Sequence, residues 1–158
     1  MSIYDLDNYQ PLAALGSLMG RVRGQLLVAL DAELARDPLL GPLEVTAAQL
    51  IVLVRLASHD RAVAISELCK SVAYDAGAMT RMLDRLEAKG LISRSRSETD
   101  RRVVLLELTE AGRTAYPRVR EVSMRVMNRS LNDFSHDEAQ QLESLLLRMA
   151  RNITEAQS

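Results

Sequence analysis

One segment, residues 75–108, constrains the fold more than any other part of the chain. Apolar residues such as Met79 and Leu83 recur at helical spacing and predict one buried helix face. Asp75 is a good N-cap for this helix, and Gly90 follows its last residues, where a left-handed C-cap favours glycine. After Gly90 the pattern changes to short β-type runs. The segment therefore predicts a short helix that stops sharply and continues into a strand.

Two strands with an arginine-rich turn between them follow the helix. The apolar runs 91–92 and 103–106 flank a polar turn at residues 97–100. The arginines on and beside this turn are Arg94, Arg96, Arg101 and Arg102. A helix followed by a hairpin with a basic tip is the arrangement of a winged helix-turn-helix. In such a unit the helix enters the DNA major groove and the hairpin, or wing, reaches the adjacent backbone.

The positive charge of the chain is concentrated in this segment. Residues 76–102 contain seven Lys/Arg and four Asp/Glu, a net charge of +3, whereas the whole 158-residue chain has a net charge of −1. A local basic surface matters more for nucleic-acid binding than the overall isoelectric point. Charged runs are more often solvated surface. Here the arginines gather on a hairpin beside a capped helix, which favours DNA contact.

Several motifs in this region match a known family. The string GAMTRMLDRLEAKG, the wing motif Asp100-Arg101-Arg102 and the stretch LTEAG at 108–112 resemble the MarR family of bacterial winged-helix regulators. Residues 43–49 are similar to the start of the family's second helix. The resemblance implies a homodimeric DNA-binding transcriptional regulator, in most cases a repressor, that responds to a small effector.

Composition excludes several other classes of protein. A chain of 158 residues fits one domain, 1–158, and 47% hydrophobic content with 3% aromatics favours helix-on-helix packing. One cysteine and two histidines are too few for a structural zinc site, so we expect no metal and no cofactor. We find no nucleophile–base pair and no glycine-rich phosphate loop, and we predict that the protein is not an enzyme. The absence of a signal peptide and of a long apolar run predicts a cytoplasmic protein without membrane contact.

The rest of the chain predicts long helices around the winged unit. The predicted fold is mainly α with a small β-hairpin wing, consisting of a winged helix-turn-helix lobe at 46–112 and a helical dimerisation region at 9–36 and 113–155. The first helix is predicted from Pro11 to Ala35. The sequence motifs that start later helices are a capping box at Thr46–Gln49, a cap at Thr109 and a second capping box at Ser135–Glu138.

The terminal helices carry apolar stripes that a monomer would leave exposed. The last helix, for example, has Leu142, Leu145, Leu146 and Met149 at helical spacing. Exposed stripes of this length exceed the apolar patches that soluble monomers tolerate. A two-fold homodimer would bury them, and it would also place two recognition helices about 34 Å apart, one turn of DNA. The predicted partner is therefore a palindromic operator in double-stranded DNA.

The two DNA-contacting elements are expected to have different roles. The helix residues predicted to face the major groove are Ala78, Thr80, Arg81 and Arg85. The wing arginines Arg94, Arg96, Arg101 and Arg102 are expected to contact phosphate or enter the minor groove. Asp100 disfavours phosphate, so we expect it to hold Arg101 or Arg102 through a charge-assisted hydrogen bond.

The predicted effector is a small aromatic acid or phenol. The family resemblance places its site in the crevice between the dimer helices and the winged lobe. Met19 and Arg23 lie one turn apart on the first helix, and either Arg21 or Arg23 could bind a carboxylate. The residues predicted to line the ligand site are Met19, Arg23, Leu53 and His59.

Two other interpretations remain open. A winged-helix module that binds proteins and not DNA would have no need of four arginines on its wing. An oxidant-sensing regulator would use Cys69, the one cysteine. Since Leu68 and Val72 place Cys69 on the inner face of a short helix, packing in the core is the better interpretation of this thiol.

Overall fold

A computed structural model of the chain describes residues 3–71 and 76–156. In chain order the elements are α1 (Leu15–Arg36), α2 (Ala47–Ala57), β1 (Val63–Ala64), α3 (Ile65–Ser71), α4 (Ala76–Ala88), β2 (Ile92–Arg96), β3 (Val104–Leu108), α5 (Glu110–Ser130) and α6 (His136–Glu155). This confirms the predicted fold class, mainly α with a small β wing. The inward-facing role predicted for Val72 and the N-cap predicted at Asp75 fall outside the described residues.

Both predicted capping boxes are present. At the start of α2, the Thr46 hydroxyl accepts the Gln49 backbone N–H (3.3 Å), and the Gln49 side chain accepts the Thr46 N–H (3.2 Å). At the start of α6, Ser135 and Glu138 make the same reciprocal pair. Each box satisfies two backbone N–H groups that a helix start would otherwise leave without partners.

The first helix starts four residues later than predicted, at Leu15 instead of Pro11. The backbone N–H groups of Ala13 and Ala14 donate to the Gln10 carbonyl in turns before it, and Ala14 offers no side-chain cap. Apolar spacing runs on into this turn through Leu12, which is exposed. The periodicity therefore extended the predicted helix too far.

The sheet has three antiparallel strands in the order β1-β3-β2. The predicted hairpin is β2–β3, with Ile92 opposite Leu108 and Arg96 opposite Val104. The sequence analysis missed β1, in which Val63 pairs with Leu106 on the other side of β3. Two residues are too few to show an alternating pattern, and only the tertiary pairing identifies them as a strand.

Residues 3–126 share one hydrophobic core, built by α1 to α5 and the sheet. Met79, Leu83 and Leu86 are buried in it, which confirms the predicted inner face of α4. Fully buried partners from the other elements include Leu34, Val52, Leu53, Leu68, Leu106, Val119 and Val122. The core therefore fixes which face of α4 points outward.

A buried carboxylate joins the end of α1 to α5. The Asp37 side chain is 0% exposed, and its Oδ2 accepts the Arg118 Nε–H at 2.6 Å. Its Oδ1 accepts the backbone N–H groups of Leu39 and Leu40. Burial opposes the charged form of Asp37. The hydrogen bonds from Leu40, Leu39 and Arg118 outweigh that effect and lower its pKa below the ordinary 3.8.

The chain divides into two compact units at Val126, within α5. In the second unit, the described residues of α6 include none that is buried. Its exposed apolar residues are Leu142, Leu145, Leu146, Leu147 and Ile153. In the first unit, the first half of α1 likewise exposes Leu15, Leu18, Met19 and Val22. None of the helices in the two described ranges is long and apolar enough to cross a membrane.

Candidate nucleic-acid interface

Helix α4 presents a polar face opposite its buried one. Thr80, Arg81 and Arg85 are exposed there, together with Asp84, and Ala78 is half-buried. All of these except Asp84 are the helix residues that the sequence analysis assigned to DNA, and the structure places them on one side of one helix. A helix with one face fixed in a core and the other face polar has the geometry of a major-groove reader.

The C-terminal end of α4 is a glycine-dependent cap. Gly90 has φ +67°, a conformation that favours glycine over any residue with a Cβ. Its N–H donates to the Glu87 carbonyl, and the Leu91 N–H donates to the Leu86 carbonyl, the paired bonds of a Schellman motif. The predicted C-cap is therefore confirmed, and it turns the chain at once into the wing.

The start of α5 holds this same turn from the other side. The Thr109 hydroxyl donates to the Gly90 carbonyl (2.6 Å) and accepts the Gly112 N–H (3.0 Å), which confirms Thr109 as the helix cap. A side chain at Gly112 would collide with the Leu91 carbonyl, so only glycine permits this approach. Recognition helix, wing and α5 are thus connected at one point.

Arg94 does not have the role predicted for it. Its guanidinium pairs with Asp84 (2.7 Å) and Glu87 (3.2 Å) on α4, and only 26% of its side chain is exposed. Its buried Nε has no hydrogen-bond partner among the described residues. We therefore correct the assignment of Arg94 as a wing contact to phosphate, because its charge is used to join β2 to α4 and to neutralise two acids beside the recognition face.

The wing tip is organised by its own backbone. Arg96 donates to the Arg101 carbonyl (2.9 Å), and Ser97 N–H donates to the Val103 carbonyl. Asp100 accepts the Arg102 backbone N–H (2.9 Å). Asp100 therefore holds Arg102 through a charge-assisted hydrogen bond, as expected, and because the donor is the backbone N–H the bond stabilises the turn that carries the arginines. Arg96, Arg101 and Arg102 are exposed.

These pairings leave the outer face of α4 and the wing tip basic. Among the residues the structure describes, no carboxylate lies within ion-pair distance of Arg81, Arg85, Arg101 or Arg102. The acids on α4 nearest to them, Asp84 and Glu87, are paired with Arg94. A groove of about 140 Å³ separates α4 from the start of α2, and Ala78, Arg81 and Arg85 line one side of it.

The residues predicted to bind an effector lie on α1, in α2 and just after α2. Leu53 is fully buried in the core, and we withdraw it, since a ligand could not reach it in this structure. His59 lies two residues after the end of α2, where its Nδ1 lies 2.9 Å from the Arg55 carbonyl and its Nε2 lies 3.6 Å from Glu67. Met19 and Arg23 are exposed on α1.

A different arginine lines an apolar groove on α1. Arg21 borders a shallow groove of about 530 Å³, whose other lining residues are Gly24, Gln25, Val28, Ala29 and Ala32. Cys69 is half-buried and packs against the core, as its neighbours in the sequence indicated. Within the described residues, no cluster of His, Cys, Asp and Glu has the arrangement of a metal site.

Three polar residues that join distant parts of the chain were missed by sequence reasoning. Lys89 was counted as part of the basic surface, yet its ammonium contacts α2 and the turn before it. Asp37 and Arg118 were not considered at all. Such partners are 40 to 81 residues apart, and local patterns carry no signal for contacts at that separation.

Comparisons with known proteins agree with this geometry. The MarR family model matches residues 45–104. The chain is 37% identical over 101 residues to the uncharacterized HTH-type transcriptional regulator YdgJ of Bacillus subtilis, covering 64% of this chain and 62% of that protein. It is 33% identical over 123 residues to the organic hydroperoxide resistance transcriptional regulator of B. subtilis, covering 77% of this chain and 82% of that protein.

A solved structure is similar over almost the whole chain. The structure of a mutant MarR from E. coli in complex with operator DNA matches with a TM-score of 0.76 and 31% identity. The match covers 92% of this chain and 99% of that one. The identity to the hydroperoxide regulator, which extends over most of both chains, is sufficient to establish the family. The chain belongs to the MarR family of winged-helix, DNA-binding transcriptional regulators.

Proposed function

We propose that this protein is a homodimeric repressor that binds a palindromic operator and is released by a small aromatic effector. One observation carries the DNA-binding part of the proposal. The outer face of α4 and the tip of the wing present exposed arginines, and Arg94 pairs with the acids that would oppose them. A protein-interaction module would gain nothing from arginines held free of carboxylates on two adjacent elements.

The two elements divide the work. Thr80, Arg81 and Arg85 would read base edges in the major groove, where arginine pairs with guanine. Arg101 and Arg102, carried on a turn stabilised by Asp100, would contact phosphates or the minor groove, with Arg96 supporting the turn. Operator affinity would then combine a salt-dependent part from the wing and a sequence-dependent part from the helix.

The exposed apolar stripes support the dimer. Leu145 is 45% and Leu147 65% exposed on α6, and Val22 is 53% exposed on α1. Covering such surfaces releases roughly 25 cal/mol for each Å² removed from water. A second copy of the chain is the proposed cover, with residues 9–36 and 113–155 as the dimerisation region and 46–112 as the DNA-binding lobe.

The effector proposal rests on the groove beside Arg21. Its walls are almost entirely apolar, and a guanidinium at the edge matches an aromatic ring with a carboxylate. The groove favours Arg21 over Arg23 as the ligand cation. A benzoate-type acid should weaken operator binding in the parent protein and in Arg23→Ala, and should lose its effect in Arg21→Ala. If the acid loses its effect in Arg23→Ala and keeps it in Arg21→Ala, the site at Met19 and Arg23 is favoured instead. Release of DNA by neutral aromatics alone would contradict both carboxylate sites.

The experiment that tests the function is a titration of labelled DNA from the region upstream of the gene, measured by fluorescence anisotropy. A scrambled duplex of equal length and composition is the control. We expect the upstream DNA to bind at least 1,000-fold tighter than the scrambled duplex, as for specific regulators generally. Equal affinity for both duplexes would contradict operator binding, and no binding to either at low salt would favour the protein-interaction module.

A further inference from the structure

Lys89 occupies an unusual position at the end of α4. It directly follows the last residue of that helix, and its Nζ donates to the backbone carbonyl of Glu44 and to the side-chain oxygen of Gln49, the latter at 3.0 Å. Both acceptors belong to the entrance of α2, at least 40 residues earlier in the chain. The ammonium therefore joins the recognition helix to the helix that supports it.

The two acceptors are themselves held in place. Gln49 is 3% exposed, and the oxygen that accepts from Lys89 also accepts the Thr46 N–H in the capping box of α2. Glu44 has φ +49°, a left-handed conformation that is strained for a residue other than glycine. The Glu44 N–H is bonded to the Gly41 carbonyl, so the turn before α2 is closed on itself. Lys89 thus bonds to fixed oxygens and not to mobile side chains.

The residue type suits this role. Only two of the 20 basic residues of the chain are lysines, Lys70 and Lys89. A compact ammonium with three donors can bond to two oxygens that lie in different directions, whereas a guanidinium is a flat, rigid fork. Burial lowers the pKa of Lys89, an effect that the charge of Glu44 opposes and that of Arg85 reinforces. The ammonium is therefore partly withdrawn from the solvent where DNA phosphates would be met.

We propose that Lys89 is a positioning residue for operator recognition, which holds the C-terminal end of α4 against the entrance of α2 and does not contact DNA. The same helix end is also held by Thr109, whose hydroxyl donates to the Gly90 carbonyl. Two attachments on one end fix the direction of α4. Arg85 lies one turn before Lys89, so a change at this anchor moves the base-reading side chains. This inference rests on the proposed operator binding.

The first test uses the protein without any substitution. Amines are methylated with formaldehyde and a borohydride, and the extent at Lys89 is followed by mass spectrometry, with Lys70 and a urea-unfolded sample as references. Lys89 should react at least tenfold more slowly in the native protein than in urea, whether or not DNA is bound. Fast reaction in the free protein with protection only by DNA would overturn the proposal, because that is the behaviour of a phosphate contact.

The second test compares two substitutions. Lys89→Met keeps an unbranched chain that replaces the lysine's methylene stem and removes the ammonium, and Arg102→Met removes a wing cation. Lys89→Met should reduce operator affinity about tenfold while leaving affinity for scrambled DNA and the salt slope unchanged. Arg102→Met should weaken both DNAs alike and lower the slope by about one. If Lys89→Met behaves like Arg102→Met, Lys89 binds phosphate.

Further controls separate misfolding from misplacement. The DNA-competent fraction of each variant is measured by stoichiometric titration. Gln49→Met, which removes one acceptor of the lysine without changing a charge, should reproduce part of the Lys89→Met effect. Full operator preference in both variants would overturn the positioning role. Absence of operator preference in the parent protein would contradict the proposed function itself, and the methylation result would still report on the anchor.

Discussion

The part of the chain that forms the hydrophobic core and the last helix, α6, differ in what their apolar residues contact. Within the lobe, α4 buries Met79, Leu83 and Leu86 in a core completed by the same chain. Helix α6 is as amphipathic in sequence as α4, yet none of its described residues is buried. The same apolar spacing therefore has two outcomes, an intramolecular core in one region and an exposed stripe in the other.

This difference shows which apolar side chains are buried within one chain and which are left exposed. The lobe also pairs many of its polar groups internally, through the Thr46 capping box, the Gly90 turn and the Arg94 ion pairs. The apolar residues of the stripes, in contrast, are exposed. Apolar side chains that are buried within the lobe but exposed on α6 and the first half of α1 fit a DNA-binding unit whose remaining apolar surface is covered in a dimer.

The largest expected effect comes from placing charged residues in the exposed apolar stripe of α6. Leu145→Glu combined with Leu146→Glu should convert the protein from twice the 17.6 kDa chain mass to a monomer and reduce operator affinity more than 100-fold. The core built by α1 to α5 and the sheet should stay folded, because no described residue of α6 is part of it. Light scattering and DNA titration are the measurements. Ser144→Asp on the polar face of α6 is the control, and a variant pair that stays dimeric would break the comparison.

A second effect tests whether the end of α1 belongs to the lobe. Asp37→Asn removes the charge that Arg118 and two backbone N–H groups stabilise, and it should cost about 2 kcal/mol of unfolding free energy at neutral pH. Because the pKa of Asp37 is lowered on folding, this stabilisation is complete above the ordinary value of 3.8 and is lost as the pH falls through the lower folded value.

The free energy of unfolding of both proteins, measured from about pH 2.5 to about pH 7, checks the direction of this pH dependence. The difference between parent and Asp37→Asn should be largest near neutrality and shrink in acid. Asp133→Asn, which changes an exposed carboxylate, is the control and should show no such trend. A difference that grows toward acid would mean that Asp37 is not a stabilising carboxylate.

A third effect separates the two DNA-contacting elements. Arg81→Ala should cost roughly 1–3 kcal/mol at one operator position and relax discrimination there. Arg102→Ala should weaken all DNA about tenfold and lower the salt slope by about one. Titrations of operator variants at several salt concentrations distinguish these results. If both substitutions act alike on operator and scrambled DNA, the division of roles between helix and wing is wrong.

The smallest expected effect concerns the start of α6. Ser135→Ala removes the hydroxyl that accepts the Glu138 N–H and should destabilise the helix by about 1 kcal/mol. Because α6 carries the exposed stripe, we expect this loss to appear as a weaker dimer while the lobe is unaffected. Dimer dissociation on dilution is the measurement. Equal loss of stability in both regions would show that they are not independent.

Local sequence signals predicted most of the fold and part of the site. Thr46, Gly90 and Thr109 each act on neighbours a few residues away, and each was predicted from its residue type and spacing. The outer face of α4 followed from its buried face by helical geometry. These features could be predicted because the interactions that fix them are local.

Several errors have the same physical cause, which is contact between elements that meet only when the chain folds. Arg94 was assigned to DNA because the sequence gives no sign of its partners. Asp84 and Glu87 face it only when β2 folds back along α4. Leu53 was assigned to a ligand site, yet the core covers it. The strand β1 exists only through its pairing with β3. Residue type and spacing do not encode such partners.

The most direct test of a two-fold, operator-binding dimer is a change in the phase of the two half-sites. DNA titrations would compare the operator with versions in which about 5 or about 10 base pairs are inserted at its centre, half a turn or one full turn of the duplex. The account predicts that the half-turn insertion reduces affinity to that of a single half-site, because one recognition helix then faces away from its groove. Unchanged affinity after the half-turn insertion would contradict the account.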